Sequence, residues 1–192
     1  MLAAKKLLRY LLSNPSQGVL LASSSNLIIR AYSDSDWANC PVTRRSTSGF
    51  CLLLGASPVS WQTKKQKVGA RSTAEAEYRS MAVTACEITW LTALLKDMGF
   101  TSLPPALLHC DNMAALSIAA NPVLHARTKH IEVDCHFIRD KVTAGEIQTS
   151  HVPSKSQLAD ILTKPLSVQQ HYHLLDKLGA STAPPAQLEG EY

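Results

Sequence analysis

Along the first third of the chain, apolar residues occur in short runs that are typical of β-strands. The run at residues 49–55 is continuously apolar between two glycines, which predicts a strand covered on both faces. Residues 27–33 are apolar and β-branched, and residues 58–64 alternate between apolar and polar side chains as a half-buried strand does. The short links between these strands predict an antiparallel meander.

Helical spacing takes over at residue 72, where a pattern without proline or glycine runs to residue 98 and stops before Gly99. The rest of the chain is predicted to form a strand, two helices, a strand and a last helix, at residues 106–110, 111–120, 128–144, 147–152 and 156–164. This order predicts one α/β domain in which helices pack on a mixed sheet.

The first twelve residues form an amphipathic helical pattern. One side of this predicted helix carries the leucines Leu7, Leu8, Leu11 and Leu12. Charged residues between the leucines exclude the uninterrupted apolar segment of a signal peptide. A face that docks on neighbouring protein is the preferred interpretation, with a membrane surface as the alternative. Because no apolar run approaches the roughly 18 residues that cross a bilayer, we expect no membrane span.

Composition narrows the class of protein further. The 192 residues are 45% apolar and 18% charged, which is typical of globular proteins, and the formal net charge of +4 is only mildly basic. Five scattered cysteines contain no C-x-x-C pair, so neither a disulfide framework nor a zinc knuckle is expected. These features predict an intracellular protein that is not secreted.

Acidic residues are scarce, and several fall at the ends of predicted elements. Asp34 follows the first strand and Asp111 follows the fourth. If these strands are neighbours in the sheet, both carboxylates emerge at the same edge, where ligands bind in α/β folds. Glu75 and Glu77 lie at the start of the long helix, and Asp160 lies in the apolar stretch of the last helix.

Each acid also has a purely structural interpretation. Asp111 has the position of a helix N-cap. Ser72 and Glu75 have the spacing of a capping box, which would leave Glu77 for another task. Asp160 is compatible with a surface acid at a helix start, because a serine and a glutamine with capping-box spacing precede it.

Taken together, four converging carboxylates predict a metal site. Such a cluster repels itself and is stable when divalent cations hold it, and hard oxygen ligands suit Mg²⁺ or Mn²⁺. Two such ions activate water against a phosphodiester. Basic residues supply the complementary surface for a phosphate backbone, namely Lys64, Lys65, Lys67, Arg71, Arg127 and Lys129. A solvated charged face is the alternative interpretation of these basic residues.

Seven short motifs occur in order along the chain. They are YSDSDWA at 32–38, RSTSG at 45–49, SWxxKKQK at 60–67, AEAEY at 74–78, CDN at 110–112, RTKHI at 127–131 and QLADILTK at 157–164. Together they resemble the ribonuclease H domain of Ty1/copia-type retrotransposon Pol polyproteins, especially those of plants. The resemblance covers residues 1 to about 178.

This resemblance implies a ribonuclease H-like fold, with a mixed five-stranded sheet of three antiparallel strands followed by parallel additions, and helices on both faces. It implies hydrolysis of the RNA strand of RNA–DNA hybrids by two Mg²⁺ ions, with Mn²⁺ as a possible substitute. The implied catalytic and metal-binding residues are Asp34, Glu77, Asp111 and Asp160. Glu75 and Asp36 are rivals for two of these positions. One departure is that the loop before Asp160 lacks the histidine found in many ribonucleases H.

The resemblance also divides the chain and implies its partners. Residues 1–26 would be a remnant of the connection to reverse transcriptase, residues 27–166 the ribonuclease H-like domain, and residues 167–192 a C-terminal helix and flexible tail. The chain is thus expected to be a C-terminal fragment of a polyprotein whose reverse transcriptase domain was the original partner. Hybrid processing implies a cytoplasmic or nuclear location. A catalytically weak or inactive nucleic-acid-binding remnant is the alternative function.

Overall fold

The computed structural model describes residues 1–23, 26–120 and 132–181. Its helices are α1 (Leu2–Ser13), α2 (Thr73–Asp97), α3 (Met113–Ala120), α4 (Glu132–Thr143), α5 (Asp160–Thr163) and α6 (Val168–Lys177). Its strands are β1 (Gly18–Val19), β2 (Ile29–Asp36), β3 (Thr47–Leu54), β4 (Ser57–Lys65), β5 (Ala106–Cys110), β6 (Ile147–His151) and β7 (Ala180–Ser181).

The main sheet has five strands in the order β4-β3-β2-β5-β6. Strands β2, β3 and β4 pair antiparallel, while β5 and β6 add in parallel. The predicted meander with parallel additions is therefore confirmed. Because β2 and β5 are parallel neighbours, their carboxyl ends meet at the same edge of the sheet, as the positions of the acids require.

Strand β3 is covered on both faces, as its continuous apolar run predicts. Phe50 and Leu52 belong to the main core, which packs the sheet against α2, α3 and α4. Cys51, between them, faces the other side and joins a smaller core with Leu158 and Leu174. Helices thus lie on both faces, because alternate side chains of a strand point to opposite sides.

Helix α2 is the element that crosses the main core, and the sequence signals predict its ends well. Its N-cap is Ser72, whose hydroxyl accepts the Glu75 N–H at 3.1 Å. Glycine is suited to the helix end because Gly99 has a φ of +96°. Tyr78 and Met81, one turn apart on the inner face, are fully buried.

The last predicted helix is much shorter in the structure. A 3₁₀ turn occupies Ser154–Ser156, the chain is extended at Gln157, and α5 covers only Asp160–Thr163. The side chain of Gln157 is fully buried and donates to the Ser33 carbonyl at 3.0 Å. This buried hydrogen bond to β2 outweighs local helix propensity and holds the segment in a non-helical conformation.

The two ends of the described chain meet in a pairing that no sequence pattern predicts. Strands β1 and β7 form a separate two-stranded antiparallel sheet. Helix α6 packs beside them, and its Leu174 is fully buried.

The predicted helix at residues 128–144 begins at Glu132 in the described part, and residues 121–131 lie outside it. Among the described helices, none is both long enough and apolar enough to cross a bilayer.

Candidate active site

Asp34 is the most enclosed carboxylate of the site. It lies near the end of β2, fully buried, and pairs with Gly49 of β3. Its Oδ2 accepts a hydrogen bond from the Thr163 hydroxyl, and its Oδ1 accepts one from Lys164 Nζ at 2.9 Å. Both oxygens of Asp34 are therefore held by the end of α5.

The two glutamates of α2 have different surroundings. Glu75 accepts the Arg71 backbone N–H at 2.9 Å and pairs with Arg79 at 2.8 Å. It therefore serves the start of the helix, as the capping-box spacing predicts, although it reaches Arg71 rather than Ser72. Glu77 accepts the Ser35 backbone N–H at 3.3 Å and is the glutamate that faces the end of β2.

Asp111 follows β5 and is not the cap of the next helix. That role belongs to Asn112, whose Oδ1 accepts the Ala115 N–H at 3.0 Å. Asp111 instead accepts a hydrogen bond from the Ser154 hydroxyl at 2.8 Å. The loop after β6 thus orients this carboxylate toward the end of the sheet.

Asp160 is the first residue of α5 and is almost fully buried. Its Oδ1 accepts a hydrogen bond from Lys164 Nζ at 2.8 Å, four residues later. The capping box that the sequence offers for this segment does not form, because Ser154 bonds Asp111 and Gln157 bonds Ser33. Asp160 therefore stands at the start of α5 but makes no capping hydrogen bond there, and its carboxylate faces Asp34 and Asp111.

The structure brings the four predicted carboxylates together in two overlapping groups. Ligand atoms of Asp34, Asp111 and Asp160 lie within 4.8 Å of one another, and so do those of Glu77, Asp111 and the Cys110 thiol. Oxygens on opposite sides of a bound Mg²⁺ are about 4 Å apart, so a group whose ligand atoms all lie within 4.8 Å of one another is compatible with one ion. Within the described residues, neither group contains the rivals Glu75 and Asp36.

Crowding and burial raise the pKa values of two of these acids. Burial, followed by the charges of Asp34 and Asp111, raises the pKa of Glu77 to about 9. Burial is also the main cause that raises the pKa of Asp160 to about 6, although Lys164 opposes it. A cluster that resists losing its protons without a cation has the electrostatics of a metal site, and its oxygen donors suit Mg²⁺ or Mn²⁺.

Lys164 is a member of the site that the motif contains but that chemical reasoning from the sequence missed. Burial opposes its charge, but its hydrogen bonds and charge interactions with Asp160 and Asp34 outweigh burial and raise its pKa. The spacing of four residues from Asp160 was the available signal. The contact with Asp34 depends on α5 lying beside β2, which the sequence pattern does not show.

Gly49 allows α5 to approach the sheet. A Cβ at this position would lie 2.6 Å from Thr163 Cγ2 and 3.0 Å from Leu162 Cβ. The glycine is paired with Asp34, so the space that it leaves open is the space through which Thr163 reaches that carboxylate. Sequence reasoning identified Gly49 as the boundary of an apolar run and as the last residue of the RSTSG motif, but not as the point of close approach.

Three of the predicted basic residues line a groove of about 250 Å³ between β4 and α2, together with Arg79. They are Lys64, Lys65 and Lys67, and all are exposed. Lys64 pairs with Ser48, which pairs with Ser35, so this end of β4 lies two strand spacings, or about 10 Å, from the end of β2.

The other three predicted basic residues do not line this groove in the described part of the chain. Arg71 is exposed before α2. Arg127 and Lys129 lie outside the described residues.

Comparisons with known proteins agree with this architecture. No protein-family model matches the chain. The chain is 44% identical over 184 residues to the retrovirus-related Pol polyprotein from transposon RE1 of Arabidopsis thaliana, and equally to that from transposon RE2. Each match covers 96% of this chain but 13% of the polyprotein, so the chain spans a small part of these relatives.

Two solved structures have a similar fold at low sequence identity. The N-terminal RNase H domain of a Mycobacterium tuberculosis protein superposes with a TM-score of 0.51 at 11% identity, over 79% of this chain and 98% of that one. LC11-RNase H1, solved in complex with an RNA/DNA hybrid, has a TM-score of 0.51 at 13% identity, over 70% of this chain and 93% of that one. These likenesses confirm the ribonuclease H-like fold.

Proposed function

The chain belongs with the Pol polyproteins of copia-type retrotransposons, as a relative of one segment of them, and from this premise we propose that it is a metal-dependent endoribonuclease acting on RNA–DNA hybrids. The observation that carries the proposal is the convergence of Asp34, Glu77, Asp111 and Asp160, from four different elements, at the end of β2. No local structural requirement explains four acids at one buried edge, whereas two divalent cations do.

In this proposal the four carboxylates would hold two Mg²⁺ ions, and the chemistry that such ions would supply is activation of the attacking water and stabilisation of the leaving oxygen of the scissile phosphodiester. The protein's own contribution is to keep its ligands oriented. Ser154 holds Asp111, and the Ser35 backbone N–H holds one oxygen of Glu77. Asp111 belongs to both ligand groups, so it would be within reach of either ion. Mn²⁺ is the proposed substitute because it accepts the same oxygen donors.

The basic groove is the proposed contact for the nucleic acid backbone. Lys64, Lys65 and Lys67 would neutralise phosphates in the groove, whose Lys64 end lies about 10 Å from the end of β2. Arg71, Arg127 and Lys129 are proposed as further contacts. Specificity for a hybrid would come from its A-like shape and its 2′-hydroxyl groups, not from base edges. This choice of substrate is supported by LC11-RNase H1, which shares the fold and was solved in complex with an RNA/DNA hybrid.

The polyprotein context suggests the partner and the location. We propose the reverse transcriptase domain of the same polyprotein as the original partner, because the relatives are Pol polyproteins and the leucine side of α1 is exposed. An intracellular location, cytoplasmic or nuclear, is proposed on the same ground. The division into segments 1–26, 27–166 and 167–192 stays a prediction.

A nucleic-acid-binding module with little or no nuclease activity is the second candidate. One observation favours it: Lys164 already supplies a positive charge to Asp34 and Asp160 at 2.9 and 2.8 Å. A site that is neutralised internally has less need of a metal ion, while the basic groove can still bind a backbone.

Cleavage of a labelled RNA–DNA hybrid tests the proposal. We expect the purified chain to cut the RNA strand with Mg²⁺ or Mn²⁺ and to stop when EDTA is added. Asp34→Asn and Asp111→Asn should each lower the rate by at least about 100-fold while hybrid binding is retained. Asp36→Asn is the matched control, because it removes an acid from the same strand outside both ligand groups. If Asp34→Asn cuts as fast as the parent, the assigned site is wrong.

A further inference from the structure

Lys164 occupies the space between two proposed metal ligands. Its Nζ lies 2.9 Å from Asp34 Oδ1 and 2.8 Å from Asp160 Oδ1. The second oxygen of Asp34 is bonded to Thr163. A cation that enters between Asp34 and Asp160 must therefore contact an Asp34 oxygen to which the end of α5 is already bonded.

A divalent ion and the ammonium group cannot share this position. A divalent ion binds oxygens at about 2.1 Å, so an ion bound to both Asp34 and Asp160 would occupy the space between their oxygens that the ammonium group now occupies. A positive charge left a few ångströms from the ion would repel it strongly in a site of low dielectric constant. One of the two cations has to leave before the other is bound.

We propose that Lys164 is a resident counter-cation that holds Asp34 and Asp160 together without metal, and that an ion must displace it to load the site. Lys164 thereby sets the metal concentration that the site requires. This inference rests on the proposed function, since it assumes that the carboxylates take a divalent ion.

The side chain of Lys164 is able to make this exchange. One third of it is exposed, so the flexible four-carbon stem has a route to solvent. Asp34 has no exposed surface and no such freedom. The exchange is therefore a swing of the lysine, with the carboxylates left in place.

Mn²⁺ binding to the full chain, followed by the electron paramagnetic resonance signal of free Mn²⁺, tests the inference without any measurement of cleavage. Lys164→Met keeps most of the apolar stem and removes the charge, so the Kd for Mn²⁺ should fall at least about fivefold. Lys155→Met is the matched control, since it removes an exposed lysine from the neighbouring turn, and its Kd should equal that of the parent.

Thermal unfolding supplies the second readout. In EDTA, Lys164→Met should unfold at a lower temperature than the parent, because two carboxylates lose their shared partner, and saturating Mn²⁺ should remove the difference. If the variant is unfolded in EDTA, recovery of the fold with Mn²⁺ supports the inference, and failure to recover overturns it. A folded variant whose Kd equals or exceeds that of the parent also overturns it.

Failure of the proposed function gives a different result. If the parent binds no Mn²⁺ saturably, or if Asp34→Asn binds it as tightly as the parent, the metal site itself is refuted. If the parent and Asp34→Asn differ as expected but Lys164→Met equals the parent, only the counter-cation is refuted.

Discussion

Glu77 is the residue whose burial and charge should most affect stability in the absence of metal. Its pKa of about 9 in the folded protein exceeds the unfolded value of about 4.3. Between these two values the folded state binds more protons than the unfolded state. The free energy of unfolding in EDTA should therefore fall as the pH rises from about 5 to 9.

Glu77→Gln should remove most of this pH dependence, because the amide imitates the protonated acid at every pH. At pH 8.5 we expect the variant to be more stable than the parent by roughly 2 kcal/mol or more, since each unit of pKa difference corresponds to about 1.4 kcal/mol. At pH 5 the two proteins should be nearly equal. Urea unfolding in EDTA at both pH values measures the difference.

Asp97→Asn is the control, because it changes an exposed acid at the far end of the same helix. It should leave the slope of stability against pH unchanged. A Glu77→Gln variant that keeps the slope of the parent would show that Glu77 is ionised in the folded protein, and the account of its burial would be wrong.

At the scale of single residues, the sequence separates Glu77 from Glu75 because a capping box is a local pattern. It does not reveal Lys164 as a partner of Asp34, because that contact joins residues 130 apart in the chain. The apparent capping box of Ser154 misleads for the same reason. Its hydroxyl has a tertiary partner, Asp111, and a tertiary hydrogen bond outweighs a local one.

At the scale of elements, the site depends on how closely α5 approaches the sheet at Gly49. Gly49→Ala would place a methyl group 2.6 Å from Thr163 Cγ2, and Thr163 is β-branched and has few alternative rotamers. Leu162 Cβ, at 3.0 Å, is attached directly to the backbone and cannot rotate away. Helix α5 must therefore shift, which should cost about 1–3 kcal/mol of stability.

The same shift should weaken metal binding, because Asp160, a proposed ligand, moves with α5 away from Asp34, and the two carboxylates can then no longer contact the same ion. We expect a higher Kd for Mn²⁺ in Gly49→Ala, measured beside urea unfolding. Gly18→Ala is the matched control, since a Cβ there meets no atom within 4 Å. Equal stability and equal Mn²⁺ affinity in Gly49→Ala and the parent would contradict the close-approach explanation.

The elements that the sequence predicts well are those in which a regular apolar pattern repeats over many residues. Helix α2 and the strands of the meander carry many residues of a single pattern, so tertiary contacts only reinforce it. Helix α5 has four residues, and β1 and β7 have two each, which is too short for any period. Their conformations depend on buried contacts such as that of Gln157 with Ser33.

At the scale of the whole molecule, the proposed site lies at the end of β2, and α1 presents a separate, exposed apolar face. Leu7, Leu8, Leu11 and Leu12 of α1 are between 56% and 76% exposed, as the amphipathic pattern predicts. Exposed apolar faces of this kind are typical of protein-interaction sites, and the proposed reverse transcriptase partner would cover this one. Sequence periodicity identifies such a face but not its partner, because the pattern records one side of an interface only.

The charge of the molecule is modest, so its binding to nucleic acid should depend on where the charges lie and not on the total. Lys64 and Lys67 line the groove between β4 and α2. Replacing both by glutamine should weaken hybrid binding and reduce the slope of log K against log salt by about 1 for each phosphate contact that is lost. Fluorescence anisotropy of a labelled hybrid in EDTA, at several salt concentrations, measures the slope without cleavage.

Replacing Lys6 and Lys96 by glutamine gives a control with the same change in net charge. Lys6 lies on α1 and Lys96 at the C-terminal end of α2, and both are exposed and outside the groove. If the attraction between a basic protein and a polyanion is delocalised, both double variants should lose the same amount of hybrid affinity and of salt slope. If the groove makes a defined contact with the backbone, only the groove variant should lose affinity and salt slope, because counterions are released only where a lysine contacts a phosphate. Equal slopes in the two double variants would therefore remove the groove from the proposed interface while leaving the carboxylate site untouched.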